Sequence, residues 1–248
     1  NSTTISSGTL SYLWNFGNGI TSTLSAPTYT YPSPGTYIVK LVATSNNGCK
    51  DSTTRTLTVN PSPAAVFTVN NANQCVTGNN FTFTNNSSIS SGTLTYLWNF
   101  GDGNTSTLAN GSNVYQNPGT YTVKLVVTSA LGCKDSTTRT ITVFEKPLVS
   151  FSINRASQCV NGNSFVFTNS TAIASGTVTC LWTFGDGSSA NTTNATYSYT
   201  APGTYVVKLV ATSNNGCADS TTQIVTVNPK PTVNFSINAV NQCLTGNQ

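Results

Sequence analysis

The stretch YLWNFGDGN, from Tyr96 to Asn104, carries an aromatic pair and an acid held between two glycines. Read alone, Gly-Asp-Gly is a loop for a metal or a phosphate. The chain nearly repeats it, as YLWNFGNGI from Tyr12 and as CLWTFGDGS from Cys180. The repetition extends outward from these loops. Trp14, Trp98 and Trp182 stand 84 residues apart, as do Cys49, Cys133 and Cys217, and as do Cys75, Cys159 and Cys243. PGTY recurs from Pro34, Pro118 and Pro202, and no insertion breaks the period. A unit of this length is too long for a solenoid repeat and suits an independent small domain. The 248 residues amount to three periods less four residues, so we expect a window on a longer array.

The second copy reads as strands throughout. AVFTV (65–69) is followed by FTFTN from Phe81, which alternates apolar and polar residues as a half-buried strand does. TLTYLWNF then places Leu94, Tyr96, Trp98 and Phe100 on one face. After Gly-Asp-Gly come a polar loop and the PGT turn, with Pro and Gly in turn-forming positions. YTVKLVVTS directs Tyr121, Val123, Leu125 and Val127 inward, ALGCKD turns back, and STTRTITV closes with Ile141 and Val143 inward. Helical periodicity is missing from every stretch long enough to show it. Short alternating strands between turn signals predict an all-β fold, an antiparallel β-sandwich with Trp98 in its core.

Composition narrows the function. Charged residues make up only 6% of the chain, against about 25% in ordinary globular proteins, so Ser, Thr, Asn and Gly must supply the polar surface. Hydrophobic residues reach 37% and alternate with threonines, which argues against disorder. The net charge of +4 comes from ten scattered Lys and Arg; nucleic acid and anionic membranes need clustered cations, and neither partner is expected. No apolar run approaches the ~20 residues of a membrane span. Histidine is absent, which removes the commonest general base and metal ligand. No catalytic residue and no cofactor is predicted, and the chain is read as a non-enzyme. Seven cysteines without a CxxC pair fit an oxidising, extracellular setting.

WNFGDG followed by PGTYTVKLVVTS and STTRTITV resembles the polycystic-kidney-disease (PKD) domain, an immunoglobulin-like sandwich with a WDFGDG-type signature. The resemblance covers nearly the whole chain. Asn15, Asn99 and Thr183 stand where the family usually has its first Asp, and Asn18 replaces the second in copy one. The paired NQC and GC cysteines look like those of long tandem surface proteins of Bacteroidota-type bacteria. The resemblance thus implies a secreted or cell-surface adhesin, stalk or filament. We expect whole domains at 63–144 and 147–228, a partial domain at 1–60 lacking its first strands, and the opening strand of another at 229–248. The linkers NPSPA and FEKPL are short, carry proline and should act as stiff spacers.

Within such a domain the Gly-Asp-Gly turns (Gly101, Asp102, Gly103; Gly185, Asp186, Gly187) read as architecture. The glycines permit positive φ and the Asp can accept a bond from its own backbone two residues on. Asn18 can do this without charge, whereas calcium sites gather several oxygens, often from multiple carboxylates. A second acid recurs at Asp51, Asp135 and Asp219 in the last hairpin, at the opposite pole. A strand of about eight residues separates the poles by ~27 Å, too far for a catalytic pair. In a head-to-tail array Asp102 of one domain and Asp219 of the next come near, which makes them a candidate junctional calcium pair.

The same polarity governs the cysteines under an immunoglobulin-like topology. Cys75 sits at the Gly-Asp-Gly pole and Cys133 in the last hairpin, so an intradomain bond needs the Asn-rich NNANQCVTGNN to fold back. Cys75 to Cys217 joins facing poles of successive domains and is the expected staple; Cys49, Cys133, Cys159 and Cys243 then need partners outside the chain. Cys180 replaces Tyr12 and Tyr96 on the Trp face and reads as a buried free thiol. Sequons such as Asn104, Asn110, Asn191 and Asn194 mark exposed loops. The leading expectation is a semi-rigid spacer whose partners are neighbouring repeats, with surface glycans or laterally packed chains as further partners. The alternative is a carbohydrate- or surface-binding module accessory to a secreted hydrolase. Tyr29, Tyr31, Tyr197 and Tyr199 are the aromatics whose exposure would favour it.

Overall fold

A computed structural model describes residues 1–237 together with Asn241 and Thr245. Every regular element among them is a β-strand. The first domain contains β1 (Leu10–Asn15), β2 (Thr21–Ser22), β3 (Gly35–Ser45) and β4 (Lys50–Val59), which form one sheet in the order β2-β1-β3-β4. The second contains β5 (Phe67–Val69), β6 (Asn73–Cys75), β7 (Phe81–Asn85), β8 (Leu94–Asn99), β9 (Thr105–Ser106), β10 (Gly111–Asn113), β11 (Gly119–Ser129) and β12 (Lys134–Phe144). It forms two sheets, β10-β7-β5 and β6-β12-β11-β8-β9. The third repeats this arrangement with β13 (Phe151–Ile153), β14 (Ser157–Cys159), β15 (Phe165–Asn169), β16 (Val178–Thr183), β17 (Ser189–Ala190), β18 (Ala195–Tyr197), β19 (Gly203–Ser213) and β20 (Ala218–Asn228). Its sheets are β13-β15-β18 and β14-β20-β19-β16-β17.

Alternation in the sequence becomes alternation of burial. In β11, Val123, Leu125 and Val127 are buried and lie beside Trp98 of β8, with Leu125 paired to Trp98. The facing sheet contributes Phe67, Phe81 and Phe83. Phe67 meets Trp98 edge-on with ring centroids 5.0 Å apart, and Phe83 bridges Trp98 and Phe100. The third domain packs Phe151 on Trp182 at the same 5.0 Å, with Phe165, Phe167 and Phe184 around them. Each indole N–H is satisfied by a loop carbonyl, Leu108 for Trp98 and Thr192 for Trp182. A buried indole left without a partner would cost about 1–3 kcal/mol.

Most of the pairing is antiparallel, but β14 runs parallel to the end of β20, and at β6 the Thr142 amide donates to Ala72 and the Val76 amide to Phe144 in the same sense. The NQC segment, expected only as a connection between strands, is thus a short strand of its own. The polar loop after Gly-Asp-Gly likewise holds β9 and β10 in the second domain. Residues 229–237 form no strand, and Val233, Phe235 and Ile237 are exposed. Cys243 lies outside the described residues.

By its internal contacts the chain separates into two compact units. One comprises Asn1–Asn73, Asn80–Tyr115 and Thr120–Thr142; the other comprises Gln74–Asn79, Gln116–Gly119 and the chain from Val143. In the second unit the linker residues are tied to the third domain. Glu145 accepts bonds from the Ser175 amide and hydroxyl, and Lys146 pairs with Asp219 at 2.9 Å.

Candidate functional site: the Gly-Asp-Gly turn and the cysteines

The turn forms where the Trp strand must leave the sheet. In the second domain Asn99 at the end of β8 accepts the Gly101 amide, and Phe100 N–H donates to the Asn104 carbonyl. Gly101 and Gly103 have φ of 83° and 97°. At Gly101 a Cβ would lie 2.8 Å from the Thr122 carbonyl oxygen, whereas at Gly103 the space is open. The first glycine is therefore fixed by both conformation and close approach to β11, the second by conformation alone.

The acid between them is held by its own loop. Asp102 Oδ1 accepts the Asn104 amide at 2.9 Å, and Oδ2 accepts Asn104 Nδ2 at 3.0 Å and Asn113 Nδ2 at 2.7 Å. Asp186 accepts the Ser188 amide at 3.0 Å and the Tyr197 hydroxyl at 2.7 Å. Burial works to raise its pKa, but the bonds from Tyr197 and Ser188 outweigh it and hold the carboxyl below its usual value. In the first domain Asn18 makes the same turn: its Oδ1 accepts the Ile20 amide and its Nδ2 donates to the Tyr29 hydroxyl. Tyr197 donates to Asp186 and Tyr29 accepts from Asn18, so the aromatic hydroxyl adapts to whichever residue is present.

Three tyrosines at this pole share a role that the sequence does not announce: Tyr31 and Tyr199 stand out in it only as aromatics whose exposure would favour a binding surface, and Tyr115 not at all. Tyr31, Tyr115 and Tyr199 each donate a hydroxyl hydrogen bond to the carbonyl of the Phe that precedes the turn, Phe16, Phe100 and Phe184, at 2.9, 2.8 and 2.7 Å. Burial pushes the Tyr115 phenol up to about 12, and it raises Tyr199 also. Their 84-residue spacing was the available signal. Tyr29, Tyr31, Tyr197 and Tyr199 do not form an open platform. Tyr29 stacks on Phe16 and Tyr197 on Phe184, while Tyr31 and Tyr199 stack on Tyr37 and Tyr205.

The hairpin acids have another role. Asp135 Oδ2 accepts the Ala65 amide at 2.8 Å and so fastens the start of the domain to its last hairpin. This bond, with that from the Ser136 amide, lowers the Asp135 pKa. Asp219 is lowered chiefly by Lys146. Within the third domain, Thr183 of β16 pairs with Lys208 while Asp219 pairs with Ala211 beside the far turn, so the two acids of one sandwich lie toward opposite ends. Among the described residues no three His, Cys, Asp or Glu side chains gather in a metal-binding group.

Cys75 and Cys217, both in the second unit, form a disulfide with Cα atoms 5.5 Å apart. In sequence they belong to the second and third repeats. An intradomain bond is precluded by the register: Cys159 pairs with Asn228 at the end of β20, whereas Cys217 precedes its first residue, Ala218. Ten residues of strand span about 33 Å, far beyond disulfide reach. Cys49, Cys133 and Cys159 are free thiols, with Cys49 and Cys159 exposed. Cys180 is half-buried, more open than expected. Cys180 lines a groove bordered by Asn169, Leu181 and Val210. Burial raises its pKa, and Asn169 Nδ2 donates to its sulfur at 3.2 Å.

Paired sheets with an aromatic core, left by a glycine-flanked turn and repeated in tandem, define an immunoglobulin-like modular protein. The chain belongs to the PKD domain family, whose model matches residues 1–61, 60–144 and 145–229. Over 57 residues it is 47% identical to collagenase ColA of Bacillus cereus, covering 23% of this chain and 6% of that protein. Over 50 residues it is 48% identical to pre-pro-metalloprotease PrtV of Vibrio cholerae, covering 20% of this chain and 5% of the other. The chain thus spans a small fraction of the length of these relatives. Among solved structures, the PKD1 domain of Vibrio anguillarum Epp is 35% identical, with 34% of this chain and 96% of that one covered and a TM-score of 0.31.

Proposed function

We propose that the chain is a non-catalytic spacer in an extracellular stalk, filament or adhesin, with neighbouring repeats as its first partners. The observation that carries this reading is the bond between a second-repeat and a third-repeat cysteine in an array whose period has no insertion. A cross-link between consecutive modules limits their relative motion, and short proline-bearing linkers act in the same direction. With only 6% charged residues, the assembly should respond little to salt. Small-angle scattering of the oxidised and reduced chain tests the proposal. We expect an extended, well-defined particle that gains flexibility on reduction; a bent, flexible profile in the oxidised state would overturn it.

A second reading is favoured by the relatives named collagenase and metalloprotease, in which a segment like this one forms a small part. The chain would then be a surface-binding accessory to a secreted hydrolase. Retention on immobilised collagen or polysaccharide supports it, and elution at the void position on both counts against it.

A further inference from the structure

The disulfide lies beside the linker that joins the second and third repeats. Cys75 ends β6, and the next amide, Val76, donates at 2.7 Å to the carbonyl of Phe144, the last residue of β12. Cys217 stands just before Asp219, which pairs with Lys146 of the linker at 2.9 Å. The backbone passes from Phe144 to Lys146 along one route. Cys75 and Cys217, 142 residues apart in sequence, provide a second covalent route between the same places.

The two routes bring tension to the third domain differently. Tension arriving through the linker enters at β13, which belongs to the sheet β13-β15-β18, and leaves through β20 in the other sheet. It must then cross the sandwich. β13 holds there through its register with β15, from Phe151 with Asn169 to Ile153 with Phe167. Gln223 of β20 donates to the Phe151 carbonyl, and the Phe151 ring lies on Trp182. Tension arriving through the disulfide enters at Cys217 instead, immediately before Ala218, the first residue of β20, and runs along that one strand to Asn228. Strand backbone already rises about 3.3 Å per residue against a limit of about 3.6 Å, so β20 can lengthen by only about a tenth. Its ladder to β19 and the core beneath it are not pulled apart.

We propose a further function for the Cys75–Cys217 bond as a tension bypass: a chain pulled from both sides carries the force from β6 through the disulfide into β20, and the third domain's core stays closed. β7–β12 of the second domain and β13–β19 of the third lie inside the covalent loop and cannot be drawn out, while β5 and β6 remain on the path. The loop of 142 residues withholds about 500 Å of extended chain. Opening the bond makes that length available. With dithiothreitol, one thiolate of the reagent attacks Cys75 Sγ and releases the Cys217 thiolate. The reagent's second thiolate then displaces Cys75 and closes the reagent's own disulfide, and its two protons pass to the two cysteines. The use of such a device rests on the spacer reading, but the path of tension does not: a flexible profile in scattering would remove the first and leave the second as stated.

Single-molecule force spectroscopy on the full chain, held by its two termini, tests the proposal. The fully stretched oxidised chain should fall short of the Cys75→Ser chain by about 500 Å, and dithiothreitol should bring the wild type to the length of that variant. In the Cys75→Ser background Phe151→Ala should lower the force of one unfolding event, and Gln223→Ala, which leaves the aromatic core complete, should lower the same event by less. In the oxidised chain neither substitution should move any event. Equal stretched lengths with and without the bond, an effect of Phe151→Ala in the oxidised chain, or indifference to both substitutions in the Cys75→Ser chain would overturn it.

Discussion

The Gly-Asp-Gly turn separates charge from shape at the residue scale. Asn18 builds the turn that Asp102 and Asp186 build, so the carboxylate is one of two solutions to the same geometry. Asp102→Asn should therefore change stability by no more than about 0.5 kcal/mol in urea denaturation. A loss of several times that would show that the charge itself is needed. Gly101→Ala should be far worse, because the positive φ costs about 1–2 kcal/mol and the methyl also meets the Thr122 backbone; Gly103→Ala should cost only the conformational part. Tyr115 makes a separate test. Tyr115→Phe leaves the Phe100 carbonyl buried without its donor, at about 1–3 kcal/mol. Its phenol is held protonated to about 12 by burial, above the ordinary value of 10.0. The folded state therefore keeps a proton that the unfolded state releases. Stability is complete below the unfolded pKa and falls as pH rises from there through the folded one. Alkaline melting curves should show that decline in the wild type, and the Tyr115→Phe variant should show less of it.

At the scale of elements, what could be read from the sequence was what repeats with a period of two. β7, β8, β11 and β12 follow from their alternation, and the core from Trp98, Leu125 and Ile141 on the inward face. What could not be read was three residues long or set by partners distant in sequence. β6 and β14 carry no internal period, and the parallel pairing of β14 depends on β20, about seventy residues away. The same holds at the candidate site: the glycines announced the turn, but the Tyr115–Phe100 bond joins positions separated by fifteen residues. The fastening of the opening strand by Asp135 was hidden for that reason too. This contact has a pH signature. The pKa values of Asp135 and Asp219 are lowered in the folded state, so their contribution is present above the unfolded carboxylate range and is lost as pH falls through the folded values. Melting temperature should drop on acidification below about pH 4, and Asp135→Asn should flatten that drop. An unchanged acid slope would mean that the Ala65 contact adds nothing to stability.

For the whole molecule, the three repeats share one sequence pattern but not one level of burial. The second and third domains close an aromatic core between two sheets, Phe67 on Trp98 and Phe151 on Trp182. Among the described residues the first shows the Trp-bearing sheet alone, and Leu57 is exposed and Trp14 and Val39 half-buried where their counterparts are buried. Apolar area removed from water contributes about 25 cal/mol per Å², so the same strands are held less strongly when one face is wet. The backbone ladder is nevertheless intact: β3 and β4 pair from Gly35 with Val59 to Thr44 with Lys50, as β19 and β20 pair from Gly203 with Val227. Hydrogen exchange separates the ladder from its support, because an amide bonded in a ladder exchanges only when the local unit opens. In dilute solution, amides of residues 35–59 should exchange faster than those of 119–144 and 203–228. Trp98→Ala should cost about 3–5 kcal/mol through its cavity and bring the second domain's amides toward the first domain's rate, leaving the first unchanged. Equal protection in all three hairpins would show that the ladder needs no covering sheet.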